Sequence, residues 1–121
     1  MNRDTEKREL LTGMVGFLGD FEGGIRQTVS LFQEGSIEKA RQNTIQVIDG
    51  LGWIMEAIAV LQDMVEIDVT QLTATLEQLQ ISLENDDDVM ISDLFENELL
   101  PVLAKWKQRM LEIDGTPLSE V

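Results

Sequence analysis

Apolar residues recur at alternating steps of three and four along most of the chain, which is the period of an α-helix with one buried face. The first such stripe runs from Leu11 to Phe32, and a second, more regular one runs from Ile37 to Val65. Two further stripes occupy the second half of the chain. The predicted helices cover about residues 5–34, 37–66, 69–84 and 88–113, and a tail covers residues 115–121.

The breaks between the stripes carry residues that end and begin helices. Gly35 follows the first stripe as a helix stop, and Ser36 is placed to cap the second helix. Asp68 is placed to cap the third helix, and the acidic run that ends at Asp88 lies at the positive end of the fourth. Short links between long helices favour antiparallel pairs. The sequence therefore predicts one all-α domain over residues 1–121, an antiparallel four-helix bundle of two helical hairpins.

A proline lies inside the fourth predicted helix. Pro101 cannot donate a backbone hydrogen bond, and a proline ring collides with the carbonyl group four residues earlier in a regular helix. We therefore expect the last helix to be kinked at this proline, between Asn97 and Pro101.

The second predicted helix carries more apolar surface than a bundle helix needs. Trp53, Ala57, Val60 and Met64 form a further stripe beside its main seam, whereas burial in a four-helix bundle requires one stripe. Either the fourth helix and the tail wrap this surface, or a different partner fills a groove there, or a second copy covers it. We favour a homodimer, with Trp53 as the contact residue because aromatic side chains anchor interfaces.

The first predicted helix is rich in glycine, and each glycine costs about 0.5 to 1 kcal/mol of helix stability relative to alanine. Three interpretations stay open: a kink at Gly23 and Gly24, a bare face that lets another backbone approach closely, within the chain or across a dimer, or a cofactor cradle. Gly16, Gly19 and Gly23 lie on one side of this helix. We include these three in the hypothetical interface.

The charge balance excludes several classes of partner. The chain has 23 Asp plus Glu against 9 Lys plus Arg, for a formal net charge of −14. Nucleic acid and anionic membrane surfaces would therefore be repelled. No Lys or Arg lies between Arg41 and Lys105, a stretch with 13 acidic residues. We expect the acidic surface formed by this stretch to keep the protein soluble or, as the more specific interpretation, to bind a basic protein partner.

Two residue types with much of the reactive chemistry of proteins are missing. The chain has no histidine and no cysteine, which excludes thiol nucleophiles, histidine-based triads and most transition-metal sites. No apolar run approaches the roughly 20 residues that cross a bilayer, and the charged first residues are unlike a signal peptide. We expect a cytoplasmic protein without a cofactor or a metal.

The remaining enzymatic alternative is a magnesium site of carboxylates on facing helices, as in all-α nucleotide pyrophosphatases. Acidic pairs at a spacing of three place two oxygen donors on one helical face, although a chain this acidic contains such pairs by chance. No basic residue stands near the pairs at residues 63–66 and 93–96 to hold a substrate phosphate. The candidate pairs are Asp63 with Glu66, Asp93 with Glu96, and Glu6 with Glu9.

One segment resembles a known group of proteins. The stretch ELLPVL at residues 98–103, with DLF at residues 93–95 before it and Trp106 after it, resembles small uncharacterised bacterial all-helical proteins, and this implies no activity. In size, acidity and helix length the chain is also similar to bacterial flagellar and type III export chaperones, which bind the amphipathic ends of secreted subunits. The glycines of the first helix are not typical of that class. We predict a non-catalytic protein that self-associates and binds protein partners, as an adaptor or chaperone.

Overall fold

The computed structural model of the protein describes residues 3–114, with the side chains of residues 5–114. All regular structure in this range is helical, so the prediction of an all-α four-helix bundle is confirmed. The tail predicted at residues 115–121 lies outside the described residues. The first three helices are α1 (Arg3–Glu34), α2 (Ile37–Val60) and α3 (Thr70–Glu84), and the fourth consists of α4 (Asp88–Leu94), a π-helical turn (Phe95–Leu99) and α5 (Leu100–Asp114).

Each helix packs against its neighbours in chain order, and the last closes against the first. α1 contacts α2 on one side and α5 on the other, while α3 contacts α4 and, less extensively, α2. Two polar contacts fix the directions around α1. Near its beginning, Lys7 reaches Asp63 just beyond the end of α2, and the Thr12 hydroxyl donates to Asp114 at the end of α5. Both neighbours of α1 are therefore antiparallel to it, and the two hairpins enclose one core.

The first hairpin turn is built around the predicted glycine stop. Gly35 takes the left-handed conformation, with φ of 89°. Its amide donates to the carbonyl of Phe32 at 3.2 Å, and the Ser36 amide donates to that of Leu31 at 2.9 Å, which satisfies the last carbonyls of α1. The capping role predicted for Ser36 is wrong, because its side chain makes no capping hydrogen bond; its backbone is engaged in closing α1 instead.

The second hairpin turn repeats this arrangement with aspartates. Asp86 is the left-handed residue, with φ of 54°. Its amide donates to Leu83 at 3.2 Å, and the Asp87 amide donates to Ser82 at 2.8 Å. The Asp87 carboxylate then accepts from the amide of Met90 at 3.1 Å. This bond caps α4, so the acidic run begins the fourth helix as predicted.

α2 ends at Val60 and not at residue 66 as predicted. The Val65 amide donates to the carbonyl of Leu61 at 2.8 Å in a last single turn, after which residues 66–69 have no regular secondary structure. Val65 and Ile67 are both buried, with exposed Glu66 between them. Residues two apart in a helix face nearly opposite sides, so a continued helix could not bury both of them in one core. The chain leaves the helix so that both side chains reach the core.

Asp68 holds the chain just before α3. Its carboxylate accepts from the Thr70 hydroxyl at 2.6 Å and from the Thr70 amide at 2.9 Å. These bonds hold the pKa of the Asp68 carboxyl below its ordinary value, since they favour the charged form. The resulting stabilisation is present above the pKa of the unfolded chain and is lost as the pH falls through the lower, folded-state pKa.

The distortion expected near Pro101 takes the form of the π-helical turn. The Leu100 amide donates to the carbonyl of Phe95, five residues earlier, so the helix holds one residue more than an α-helical turn directly before the proline. Pro101 follows as the second residue of α5. The π-helical turn thus takes up the break in hydrogen bonding that a proline imposes on a helix.

The same turn keeps a run of core residues on one side of the fourth helix. Ile91, Phe95, Leu99 and Leu103 are fully buried, and they are spaced at steps of four. In a regular α-helix each step of four advances the face by about 40°, so this run would wind away from the core. The extra residue in the π-helical turn offsets that drift, and the core extends through α5 to Met110.

Candidate interaction surface

The first carboxylate pair considered as a magnesium site is not on a helix. Asp63 and Glu66 lie in the non-helical segment after α2, so their spacing of three does not place them on one helical face. The Asp63 carboxylate instead lies 2.7 Å from the ammonium group of Lys7. The helical geometry on which this candidate depended is therefore absent.

The other two pairs lie on helices but do not converge with further acidic groups. Asp93 accepts a hydrogen bond from the Asn97 amide at 2.6 Å, and Glu96 beside it is exposed. Glu6 and Glu9 are exposed on α1. Among the residues that the structure describes, no three acidic side chains lie close enough together to hold a metal ion. The exposed apolar residues are the stronger candidates for a site.

Three aromatic rings lie together on the outer side of the α1–α2 hairpin. Phe17 stacks on Phe21 with ring centroids 5.4 Å apart, and Trp53 of α2 meets Phe17 edge-on at 4.9 Å. Trp53 is nevertheless 45% exposed. Val60, which is 52% exposed, lies seven residues after Trp53 and hence on the same side of α2. We call the surface formed by these four residues the hairpin face.

Gly50 makes room for this cluster. A Cβ atom at that position would lie 2.5 Å from Cε1 of Phe21, much closer than carbon atoms approach in van der Waals contact. The ring of Phe21 can therefore lie over the backbone of α2 only because Gly50 has no side chain. This contact explains a glycine in the middle of α2, where its helix propensity is poor.

Replacing Gly50 with alanine should lower the stability, whereas Gly52→Ala should raise it. Both variants gain about 0.5 to 1 kcal/mol of helix propensity. A Cβ at Gly52 meets no atom within 4 Å, so that gain is kept. At Gly50 the new methyl group displaces Phe21, and such overpacking costs about 1 to 3 kcal/mol. Urea unfolding of the two variants measures the difference, and equal stabilities would contradict the packing role of Gly50.

A groove of about 470 Å³ continues from the aromatic cluster along the hairpin. Its lining contains one charged residue, Asp20, although 26% of the whole chain is charged. The amide side chains of Gln27, Asn43 and Gln46 line it together with apolar side chains and glycines. The centres of protein interfaces are likewise depleted in charge. The groove is therefore a charge-poor area on an acidic protein, whereas on α2 exposed Asp49 and Glu56 flank Trp53.

The structure separates the apolar residues predicted for the interface. Trp53 and Val60 lie on the hairpin face, while Ala57 is buried in the core and Met64 is half-buried against it. The fourth helix packs on α1 and α3 and leaves Trp53 and Val60 exposed. The alternative in which the tail wraps this surface lies outside the described residues. Two of the four predicted side chains are thus available to a partner.

The glycines of α1 are not explained by packing inside the chain. α1 is uninterrupted through Gly23 and Gly24, and a Cβ on any of its glycines would meet no atom within 4 Å. Among the described residues no backbone approaches them, so the close approach predicted within the chain is wrong. Gly24 lines the groove. Gly19 lies on the side of α1 opposite Phe17, and Gly16 lies about 100° around the helix axis from Phe17.

Sequence reasoning missed the partners of Trp53. The apolar period of the first helix does not link Phe17 and Phe21 to Trp53, and it gives Gly50 no role. A signal was present: two phenylalanines four residues apart lie on one side of a helix, and a mid-helix glycine three residues before Trp53 marks a site of close packing.

None of the helices in residues 3–114 is both long and apolar enough to cross a membrane. The fold and the hairpin face define an all-helical bundle protein with exposed apolar side chains beside a charge-poor groove. The chain belongs to the family described as a domain of unknown function, DUF8042, whose model matches residues 9–109. This match confirms the resemblance to an uncharacterised family. No curated protein and no solved structure matches the chain.

Proposed function

We propose that the protein is a non-catalytic, cytoplasmic association module that forms a homodimer through the hairpin face, in an adaptor or chaperone-like role. The observation that carries this proposal is the exposure of Trp53 and Val60 on one side of α2, beside a groove whose lining has a single charged residue. Exposed apolar surface of this kind marks interaction sites, because leaving it in water is unfavourable.

The chemistry of the surface favours a second copy as its occupant. A two-fold interface brings a surface patch against the same patch of the partner. Carboxylates would repel one another in that arrangement, whereas an amide group both donates and accepts hydrogen bonds and pairs with its own kind. The groove beside the hairpin face offers Gln27, Asn43 and Gln46 with Asp20 as its carboxylate. Such a surface can be complementary to itself.

The size of the surface is also sufficient. α2 contains 24 residues and is about 36 Å long, and two adjacent helices are roughly 20 Å wide, so the hairpin offers about 700 Å². Specific interfaces bury about 800 Å² on each partner. A dimer that uses most of the hairpin therefore falls in the range of stable complexes.

Substitution of Val60 with glutamate should dissociate the dimer. The change would place two like charges in a desolvated interface, and such charges are strongly unfavourable there. Light scattering should give about twice the chain mass of 13.6 kDa for the unchanged protein, and 13.6 kDa for Val60→Glu. Circular dichroism should show the same helix content for both, because Val60 is exposed within each chain.

Ile81→Glu is the matched control. Ile81 lies on α3, away from the hairpin, and is 55% exposed, close to the 52% of Val60. The control should keep the mass of the dimer. A monomeric mass for the unchanged protein at high concentration, or equal dissociation by both substitutions, would contradict the proposal.

A further inference from the structure

A second apolar surface lies at the end of the bundle where the two hairpin turns meet. Val89, in the first turn of α4, is 81% exposed, and Met90 beside it is also exposed. A groove of about 530 Å³ joins Val89 to half-buried Phe32 and Ile37 near the α1–α2 turn. We call this surface the end groove. The exposed valine extends its apolar floor toward solvent.

The rim of the end groove is acidic, unlike the groove on the hairpin. Asp88, Asp93 and Glu96 line it, and no Lys or Arg is among the described residues that do so. Arg41 compensates Asp88 through two hydrogen bonds of 2.9 Å. Asp93 accepts a hydrogen bond from the neutral amide of Asn97 at 2.6 Å, and Glu96 is exposed. The rim therefore retains negative charge beside an apolar floor.

We propose that the end groove binds a basic amphipathic helix or peptide segment of another protein. An apolar side chain of that segment packs on Phe32, Ile37 and Val89, and its Lys or Arg side chains lie beside Asp93 and Glu96. Charge complementarity selects this occupant, because opposite charges across an interface steer association and exclude partners of the wrong sign. The surrounding field acts in the same direction, since the stretch between Arg41 and Lys105 has 13 acidic residues and no basic one.

A second copy of the chain is a poor occupant for this groove. Two end grooves brought together would oppose their acidic rims. The basic residues Lys105 and Arg109 of another copy are accompanied by Glu66 and Asp68, which line the same depression, so that surface is not basic overall. The end groove thus differs from the hairpin face in the partner that it suits, and this inference does not depend on the proposed dimer.

The probe is a fluorescein-labelled amphipathic peptide of leucine and lysine, titrated with the full chain by fluorescence anisotropy. Two peptides serve as controls: one of the same composition with its order scrambled, and one with glutamate in place of lysine. We expect the amphipathic basic peptide to bind about tenfold more tightly than the scrambled one. Its affinity should fall about tenfold when the salt concentration is raised, because salt screens exposed ion pairs. The glutamate peptide should not bind.

Matched variants locate the binding. Asp93→Asn with Glu96→Gln should weaken binding about tenfold, whereas Glu77→Gln with Glu84→Gln, which removes the same charge from α3, should change it less than twofold. Val89→Ser should likewise weaken binding, and Ile81→Ser on α3 should not.

Equal effects of the two double variants, or equal binding of the scrambled peptide, would overturn the proposal, because either result would indicate non-specific attraction to an acidic protein. An oligomer larger than a dimer would also overturn it if Val89→Ser returned that oligomer to the dimer. Such a result would show that another copy occupies the end groove. Val60→Glu should leave peptide binding unchanged, so failure here and failure of the proposed dimer are distinguishable.

Discussion

A variant that lacks Asn97 and carries Pro101→Ala should remain folded, whereas a variant that lacks Ala104 should not. The π-helical turn Phe95–Leu99 holds one residue more than an α-helical turn. Removal of exposed Asn97 from it should give a regular helix in which α4 and α5 keep their orientation toward the core. Pro101→Ala is needed because the ring and the missing amide hydrogen of a proline do not fit a regular helix interior.

Deletion of Ala104 acts on a regular part of the same helix. Every later residue would rotate by about 100° around the helix axis, which would move Trp106 and Met110 out of the core, where both are buried. The loss of a large core side chain costs about 3 to 5 kcal/mol. Two such losses are comparable with the whole stability of a domain, about 5 to 15 kcal/mol.

Thermal unfolding followed by circular dichroism compares the two deletions. We expect a cooperative transition for the Asn97 deletion with Pro101→Ala, at a cost of less than about 2 kcal/mol, and no cooperative transition for the Ala104 deletion. Unfolding of the first variant, or a cooperative transition in the second, would show that the π-helical turn does not set the orientation of α5.

Lys107→Met should lower the free energy of unfolding by about 2 to 3 kcal/mol. The Lys107 ammonium group lies 2.7 Å from the carboxylate of Glu22, whose side chain is only 4% exposed. Without this partner a buried carboxylate would remain uncompensated, which costs about 3 to 5 kcal/mol in a dry site. We expect a smaller loss because the Lys107 side chain is about one-third exposed, so water can replace part of the interaction.

Lys7→Met is the control for this ion pair. Lys7 and Asp63 are also 2.7 Å apart, but the Asp63 side chain is 64% exposed, so the loss should be only about 0.5 kcal/mol. Adding Glu22→Gln to Lys107→Met should recover part of the stability, since it removes the buried charge. Chemical denaturation measures all three variants. Equal losses for Lys7→Met and Lys107→Met would contradict the role assigned to burial.

The sequence predicted the helices and their order because their apolar period is long and regular. Gly35 and the acidic run before Asp88 placed both hairpin turns correctly, since each turn needs a left-handed residue or a cap that few residue types supply. The end of α2 was misplaced for a physical reason. Leu61 and Val65 continue the helical period, and only the burial of Ile67 departs from it.

The hairpin face was predictable in part. The surplus apolar stripe of the second helix identified Trp53 and Val60, but periodicity alone assigned Ala57 to the same surface. Ala57 is buried in the core of a bundle in which α1 packs on α2. The position of the boundary between core and surface depends on the distance between these helices, which cannot be read from the spacing of apolar residues. The role of Gly50 depends on the position of the Phe21 ring across the hairpin. The end groove is a tertiary feature too, since its floor combines Phe32 and Ile37 with Val89 from a distant part of the chain.

The unlike surroundings of the two tryptophans make the protein its own spectroscopic reporter. Trp53 stands at the surface beside Phe17, whereas Trp106 is enclosed by the core. With Trp106→Phe, the remaining indole emission should follow occupancy of the hairpin. With Trp53→Phe, the emission should instead follow loss of the native interior. One optical method can then separate dimer dissociation from unfolding without any attached dye.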